Sequence, residues 1–145
     1  MSVHSRSPSP PTGRNPVTLA LTNRSGRACF FDGYPTVAVL GVDGSELPFR
    51  YNRGGGMLVT SRPPARVEVP PGGSAYVTID KYRCDLGSQQ ESAAVRLAPP
   101  GDSAALRLLL PAHPRFDYCG PGDPGSTVDI SPVAATVGGT TRSPP

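Results

Sequence analysis

The stretch N-R-S-G-R-A-C-F-F-D-G-Y-P, from Asn23 to Pro35, decides the fold of this chain. It begins at the end of an alternating run in which Thr18, Ala20 and Thr22 separate Val17, Leu19 and Leu21, the period-two pattern of a half-buried strand. Arg24-Ser25-Gly26 supplies a turn, Cys29 follows, and Gly33-Tyr34-Pro35 forms a corner. Beyond the corner, Thr36 to Leu40 reads as a second strand with Val37 and Val39 on one face. A strand end, a tight turn, a cysteine and a Gly-Tyr-Pro corner in this order belong at the rim of a small β-sandwich. They carry no catalytic signal.

Downstream, short alternating runs recur between turn residues. Val42-Asp43-Gly44-Ser45 contains the Asp-Gly pair of a tight hairpin, and the returning strand runs from Leu47 to Tyr51, with Pro48 marking an edge. Asn52 to Gly56 reads as a mobile loop and is followed by Met57 to Thr60. Arg66 to Val69 precedes the Pro70-Pro71-Gly72-Gly73 turn, and Ala75 to Ile79 is the clearest strand of the chain. Ala94 to Ala98 and Leu106 to Leu110 pair across a Pro-Pro-Gly-Asp loop, and Thr127 to Val133 closes the set. The pattern predicts an all-β, immunoglobulin-like antiparallel β-sandwich of seven to nine short strands, with no helix.

Composition sets the limits of the domain. Glycine and proline number 17 and 19 among 145 residues. They fall between the apolar runs, where they act as turns. Residues 1–15 are rich in Ser and Pro and too poor in apolar side chains to offset ordering entropy, so they are expected to be disordered, as are residues 134–145. Residues 16–133 then form one domain. The net charge of +3 lies in these tails, as Arg6, Arg14 and Arg142, leaving 11 basic and 11 acidic side chains in the domain. Scattered arginines without a basic stripe or interleaved aromatics argue against nucleic-acid binding. No run is long and apolar enough to span a membrane, and the N-terminus lacks the apolar segment of a signal peptide.

The ordered elements resemble a known family, the domain of unknown function 4232, found mostly in exported and lipid-anchored proteins of actinobacteria. The matching pieces are L-x-L-T-N at Leu19–Asn23, C-x-x-x-G-Y-P at Cys29–Pro35, and G-V-D-G at Gly41–Gly44. V-P-P-G-G-S-A-Y at Val69–Tyr76, Cys84, L-x-P-P at Leu97–Pro100, Cys119-Gly120 and V-x-I-S-P-V at Val128–Val133 complete the set. The resemblance implies an exported or cell-envelope protein and pairs Cys84 with Cys119 in a disulfide. It leaves Cys29 as an unpaired or core thiol, because the family's usual partner is a cysteine ahead of an additional first strand. In this chain the Ser/Pro-rich segment stands in that place. The family has no established activity, so the resemblance implies an address but no substrate.

The residues themselves offer little chemistry. Three cysteines without a C-x-x-C pair argue against zinc and dithiol redox sites, and neither a metal nor a cofactor is expected. A cysteine nucleophile needs a base, and only His4 and His113 are available. His4 lies in the Ser/Pro-rich segment, and His113 stands between prolines, which favours an extended, exposed backbone. Asp85, Asp117 and Asp123 approach one another if Cys84 and Cys119 are bonded, giving either a calcium corner or, more simply, solvated loop acids. Asn23-Arg24-Ser25 fits a glycosylation sequon. Tyr76, Tyr82, Phe116 and Tyr118 are expected to cluster near the disulfide as a satellite core or a shallow binding face.

No catalytic residue is assigned. The sequence reads as a monomeric, non-enzymatic module that binds an unknown protein or cell-envelope ligand. Its candidate binding loops carry Asn52 and Arg53, and His113 and Arg115, with Gly33, Tyr34 and Pro35 as a structural corner. The alternative is a small hydrolase or metal-handling protein using His113 with Cys119 or a nearby Asp.

Overall fold

Alternating runs bounded by Gly, Pro and Asp give the chain a two-residue period almost throughout, and it folds as strands. The computed structural model describes residues 2–6, 13–87, 89–101, 105–111 and 116–142. In chain order the strands are β1 (Ser2–Arg6), β2 (Val17–Thr22), β3 (Cys29–Phe31), β4 (Thr36–Gly41) and β5 (Arg50–Arg53). They continue with β6 (Val67–Val69), β7 (Ser74–Asp80), β8 (Ser92–Ala98), β9 (Leu106–Leu109) and β10 (Thr127–Ile130). A 3₁₀ turn at Pro124–Ser126 and a one-turn helix, α1 (Val137–Thr140), are the helical elements among the described residues.

The strands form a five-stranded sheet in the order β1-β2-β7-β10-β5, a three-stranded sheet β4-β8-β9 and the pair β3-β6. The fold is all-β and sandwich-like, with every pairing antiparallel except β10 with β5. Val17, Leu19, Leu21, Val77, Ile79, Val128 and Ile130 point inward from the large sheet. They meet Phe31, Val37, Val39, Val69, Val95 and Leu97 in one continuous apolar core.

Four sequence expectations are corrected. The segment assigned to disorder at the front contributes β1, which pairs antiparallel to β2 from Ser2↔Thr22 to Arg6↔Thr18. An edge strand needs only main-chain hydrogen bonds, so its lack of apolar side chains did not exclude it. This strand lies ahead of β2, where the resemblance places the family's additional first strand. Residues 7–12 lie outside the described residues.

The C-terminal segment is packed too. Ala134 bridges Tyr76, and Thr141 bridges Val59. Residues 143–145 lie outside the described residues. The strand returning from the Asp43-Gly44 hairpin does not stay beside β4. Leu47 N–H still donates to Val39 O at 2.9 Å. Pro48 then breaks the ladder, and Arg50–Arg53 joins the other sheet parallel to β10. Finally, β2 is not half-buried, and neither is its neighbour β7. Thr18, Ala20 and Thr78 on their outer face are as inaccessible as the apolar residues opposite, because other segments cover that face.

Gly13–Asn15 tie the N-terminal segment to the end of β7. Arg83 N–H donates to Gly13 O at 2.8 Å, and Asn15 N–H donates to Lys81 O at 2.9 Å. Arg14 donates to Asp80 Oδ2 from Nε at 2.8 Å and from Nη2 at 2.5 Å, and Nη2 also reaches Asp129 Oδ2 at 3.2 Å. Asp80 is fully buried, and its Oδ1 has no hydrogen-bond partner among the described residues. Burial raises its pKa, opposed by the hydrogen bonds and charge of Arg14. Arg14→Ala strands that carboxylate, and the expected loss is about 3–5 kcal/mol of unfolding free energy at neutral pH. Asp80→Asn in the same chain should recover part of the loss, and the loss should shrink at acidic pH, because burial raises the Asp80 pKa and a protonated carboxyl no longer needs the cation. Urea denaturation of the single and double variants at both pH values checks this.

Candidate functional site at the disulfide end

Strand β7 ends at Asp80, Lys81 follows it, and the chain then turns through Tyr82 and Arg83 to Cys84. Cys84 is bonded to Cys119, with Cα atoms 5.2 Å apart and a separation of 35 positions in sequence. Closing a loop of that length contributes about 3–4 kcal/mol in the chain-entropy account. The bond pins the segment after β7 to the segment before β10.

Lys81, the chain's single lysine, lies under this bridge and is 1% exposed. Its Nζ donates to Tyr82 O at 2.8 Å, stands 4.0 Å from Cys84 Sγ and lies 6.0 Å from the centre of the Phe116 ring. Burial lowers its pKa to about 8, against the opposing charges of Asp117, Asp123 and Asp80.

Asp123 organises the opposite wall. It accepts from Asp85 N–H, Leu86 N–H at 3.0 Å and Gly125 N–H at 2.8 Å, and it caps the 3₁₀ turn. Its burial raises the pKa, but the three backbone donors outweigh that and hold it below the usual carboxylate range. Gly125 is required by close approach. A Cβ there would stand 2.6 Å from Cys119 Sγ and 2.7 Å from the carbonyl oxygens of Tyr82 and Arg83.

Outside these walls runs an open groove of about 510 Å³ lined by Pro48, Arg50, Tyr118, Pro121, Pro124 and Thr127, among others. Its floor is fixed by packing. Tyr118 meets Phe49 edge-on at 5.3 Å, and Phe49 lies 6.2 Å from Phe116. Arg50 is exposed on β5, and its side chain makes no hydrogen bond, ion pair or ring contact among the described residues.

The residues singled out from sequence are dispersed. Asn52 and Arg53 belong to β5 instead of a loop, and both side chains are engaged. Asn52 Nδ2 donates to Asp129 Oδ1 at 2.9 Å and Gly55 O at 2.8 Å. Arg53 donates to Pro35 O at 3.3 Å and stacks over Tyr34 at 5.6 Å, bracing the corner, where Gly33 has φ of +127° and accepts from Val133 N–H. His113 and Arg115 lie outside the described residues.

Cys119, offered as a partner for His113 in the alternative reading, is taken up in the disulfide and buried. Asp123 is spent on backbone donors and Lys81 fills the space beside it, so the three acids do not form a calcium corner. No group of three metal-ligating side chains occurs among the described residues. The expected aromatic cluster also divides. Phe116 and Tyr118 pack with Phe49, whereas Tyr82 lies beneath Arg14 and Arg83, and Tyr76 pairs with Ala134.

Asn23 in the sequon is 1% exposed, and its amide donates to Arg27 O and Val69 O. It holds a turn and is not presented for modification. Cys29 is free and half-buried, in a second groove of about 440 Å³ with Phe30, Pro99 and Pro100.

The family model described as a domain of unknown function (DUF4232) matches residues 1–138. The chain belongs to the DUF4232 family. The match takes in β1 and Arg14, which composition alone placed outside the domain. No curated protein and no solved structure matches the chain. No helix among the described residues is long and apolar enough to cross a membrane.

Sequence reasoning missed Arg14, Asp80, Lys81 and Gly125. The legible signals were a lone lysine at the end of the clearest strand and the Gly120-Pro121-Gly122-Asp123-Pro124-Gly125 run beside Cys119.

Lys81 gives this DUF4232 chain a pH signature. Between pH 8 and about 10.5 the unfolded chain keeps a proton that the folded chain has released, so stability rises with pH across that window. Full relief amounts to roughly 3 kcal/mol. Lys81→Met, of similar volume, should match the parent at high pH, exceed it at pH 7 and lose the alkaline rise. Tyr51, whose pKa burial raises, opposes this rise at the alkaline end in both proteins, so the difference between their denaturation midpoints isolates Lys81.

Proposed function

We propose that this chain is a non-enzymatic, monomeric β-sandwich module of the exported or cell-envelope type, which recognises an acid-bearing polypeptide segment in the groove beside the disulfide. The observation that carries the reading is the contrast between pinned walls and an unpaired cation. The bridge, the Asp123 cap and the aromatic floor fix the groove's shape before any ligand arrives, so little entropy is lost on binding. Arg50 alone lies there exposed and uncommitted, a fork suited to a carboxylate. Exposed proline walls present rigid apolar contact to an extended chain. The inward commitment of Asp80, Lys81 and Asp123 supports binding over acid–base chemistry, since each holds the protein's own main chain or a neighbouring side chain. A disulfide under a structural lysine supports an oxidising address.

Panning a phage-displayed random peptide library on the immobilised chain tests the binding reading. Acid-bearing clones should be enriched, and Arg50→Glu should weaken them at least about tenfold. Arg66→Glu, at a cation stacked on Phe30 away from the groove, should leave them unchanged. Failure to enrich, or equal loss with both variants, overturns the reading. The address is tested separately, on protein recovered from its native host. It should fractionate with the envelope or medium and carry the Cys84–Cys119 bond, whereas cytosolic recovery with three free thiols overturns export.

A further inference from the structure

The outer face of the five-stranded sheet is covered by polar groups. Thr18 and Thr78 lie there, at 1% and 0% exposure. Their hydroxyls are 2.9 Å apart, and that of Thr78 is 2.7 Å from Thr140 Oγ1. Thr140 in turn donates to Val137 O at 2.6 Å. A carbonyl only accepts and each hydroxyl has one proton, so the relay runs from Thr18 through Thr78 and Thr140 to Val137 O.

Thr140 belongs to a segment, Ala134–Arg142, that makes three more attachments. Ala134 exchanges two main-chain hydrogen bonds with Tyr76, Thr60 N–H donates to Thr140 O at 3.0 Å, and Arg142 N–H donates to Leu58 O at 2.8 Å. Thr140 is the one fully buried side chain of the segment, while Ala134 and Val137 are half-buried.

We infer that Ala134–Arg142 is a detachable strap, which leaves the sheet as a unit while the sandwich stays folded, and that it guards an edge of β7. Water replaces hydroxyl and amide partners at little net cost, whereas the strands beneath are held by apolar burial that water does not replace. Segments joined mainly by polar contacts open sub-globally.

The consequence is specific because β10 runs out before β7 does. The last β10 pair is Ile130 with Ile79, followed by Ser131 N–H donating to Thr78 O. Tyr76 then relies on Ala134 for both of its main-chain bonds. Release of the strap therefore leaves the first half of β7 with open donors and acceptors, an edge able to take an extended strand, beside the Thr18–Thr78 hydroxyls.

Residue-resolved amide hydrogen exchange on the full, disulfide-bonded chain tests this. The amides of Tyr76, Thr60, Ala134 and Arg142 should exchange together, at least about 100-fold faster than those of Ala75 and Val77. Those two residues alternate with Tyr76 and face β2 in the antiparallel ladder. Thr136→Ala removes the exposed hydroxyl that accepts from Gly139 N–H and caps α1. It should speed the strap set by a further fivefold or so and leave Ala75 and Val77 unchanged. Protection of Tyr76 equal to that of its two neighbours, an unchanged strap set in the variant, or an equal rise in both sets overturns the strap.

Discussion

Strand β7 is enclosed on both faces and along both edges, and its sequence is not wholly apolar. Thr78, Asp80 and Lys81, at its second half and end, are all inaccessible to solvent. A buried polar group without a partner costs more than an apolar side chain gains, so each of these residues dictates something about the segments around it. The Thr78 hydroxyl brings Thr18 and Thr140 into hydrogen-bonding range. Asp80 draws in Arg14, and with it the N-terminal segment. Lys81 takes a carbonyl from the turn that carries Cys84. The segments before β2 and after β10 are organised by three polar side chains of one central strand.

That dependence explains what the sequence disclosed. The strands could be found because alternation is a property of neighbours in the chain, and the Asp43-Gly44 hairpin because its geometry is local. Ser45 N–H donates to Asp43 Oδ1 at 3.0 Å, and Gly44 takes a φ of +83°. The Cys84–Cys119 pairing came from family likeness and proved right.

Arg14 was assigned to a tail because its partners are 66 and 115 residues away and nothing nearby suggests burial. The crossover of the chain from β4 to β5 was hidden for a similar reason. Pro48 signalled an edge, but not that the strand would change sheets. Thr18 looked like part of a solvent face because the cover of that face comes from the other end of the chain. Among the candidate site residues, Asn52 and Arg53 were read as part of a loop, but they lie in β5 and their neighbours take up both side chains.

The disulfide end separates two tasks within a few residues. Asp123, Lys81 and Gly125 hold shape, while Arg50 and the prolines face outward on the scaffold that results. Polar residues near a groove are often taken as chemistry, but here burial and hydrogen-bond partners divide framework from surface.

The seclusion of Lys81 gives the folded molecule an unusual chemical profile. Its only side-chain amine is sealed beneath a disulfide. Amine-directed acylating reagents find no accessible side-chain amine in the intact fold. A protease specific for lysine has one cleavage point, inside the central strand's terminus, and reaches it only in molecules whose sheet has come apart. The same residue makes the chain its own reporter of unfolding, readable from two fragments on a gel.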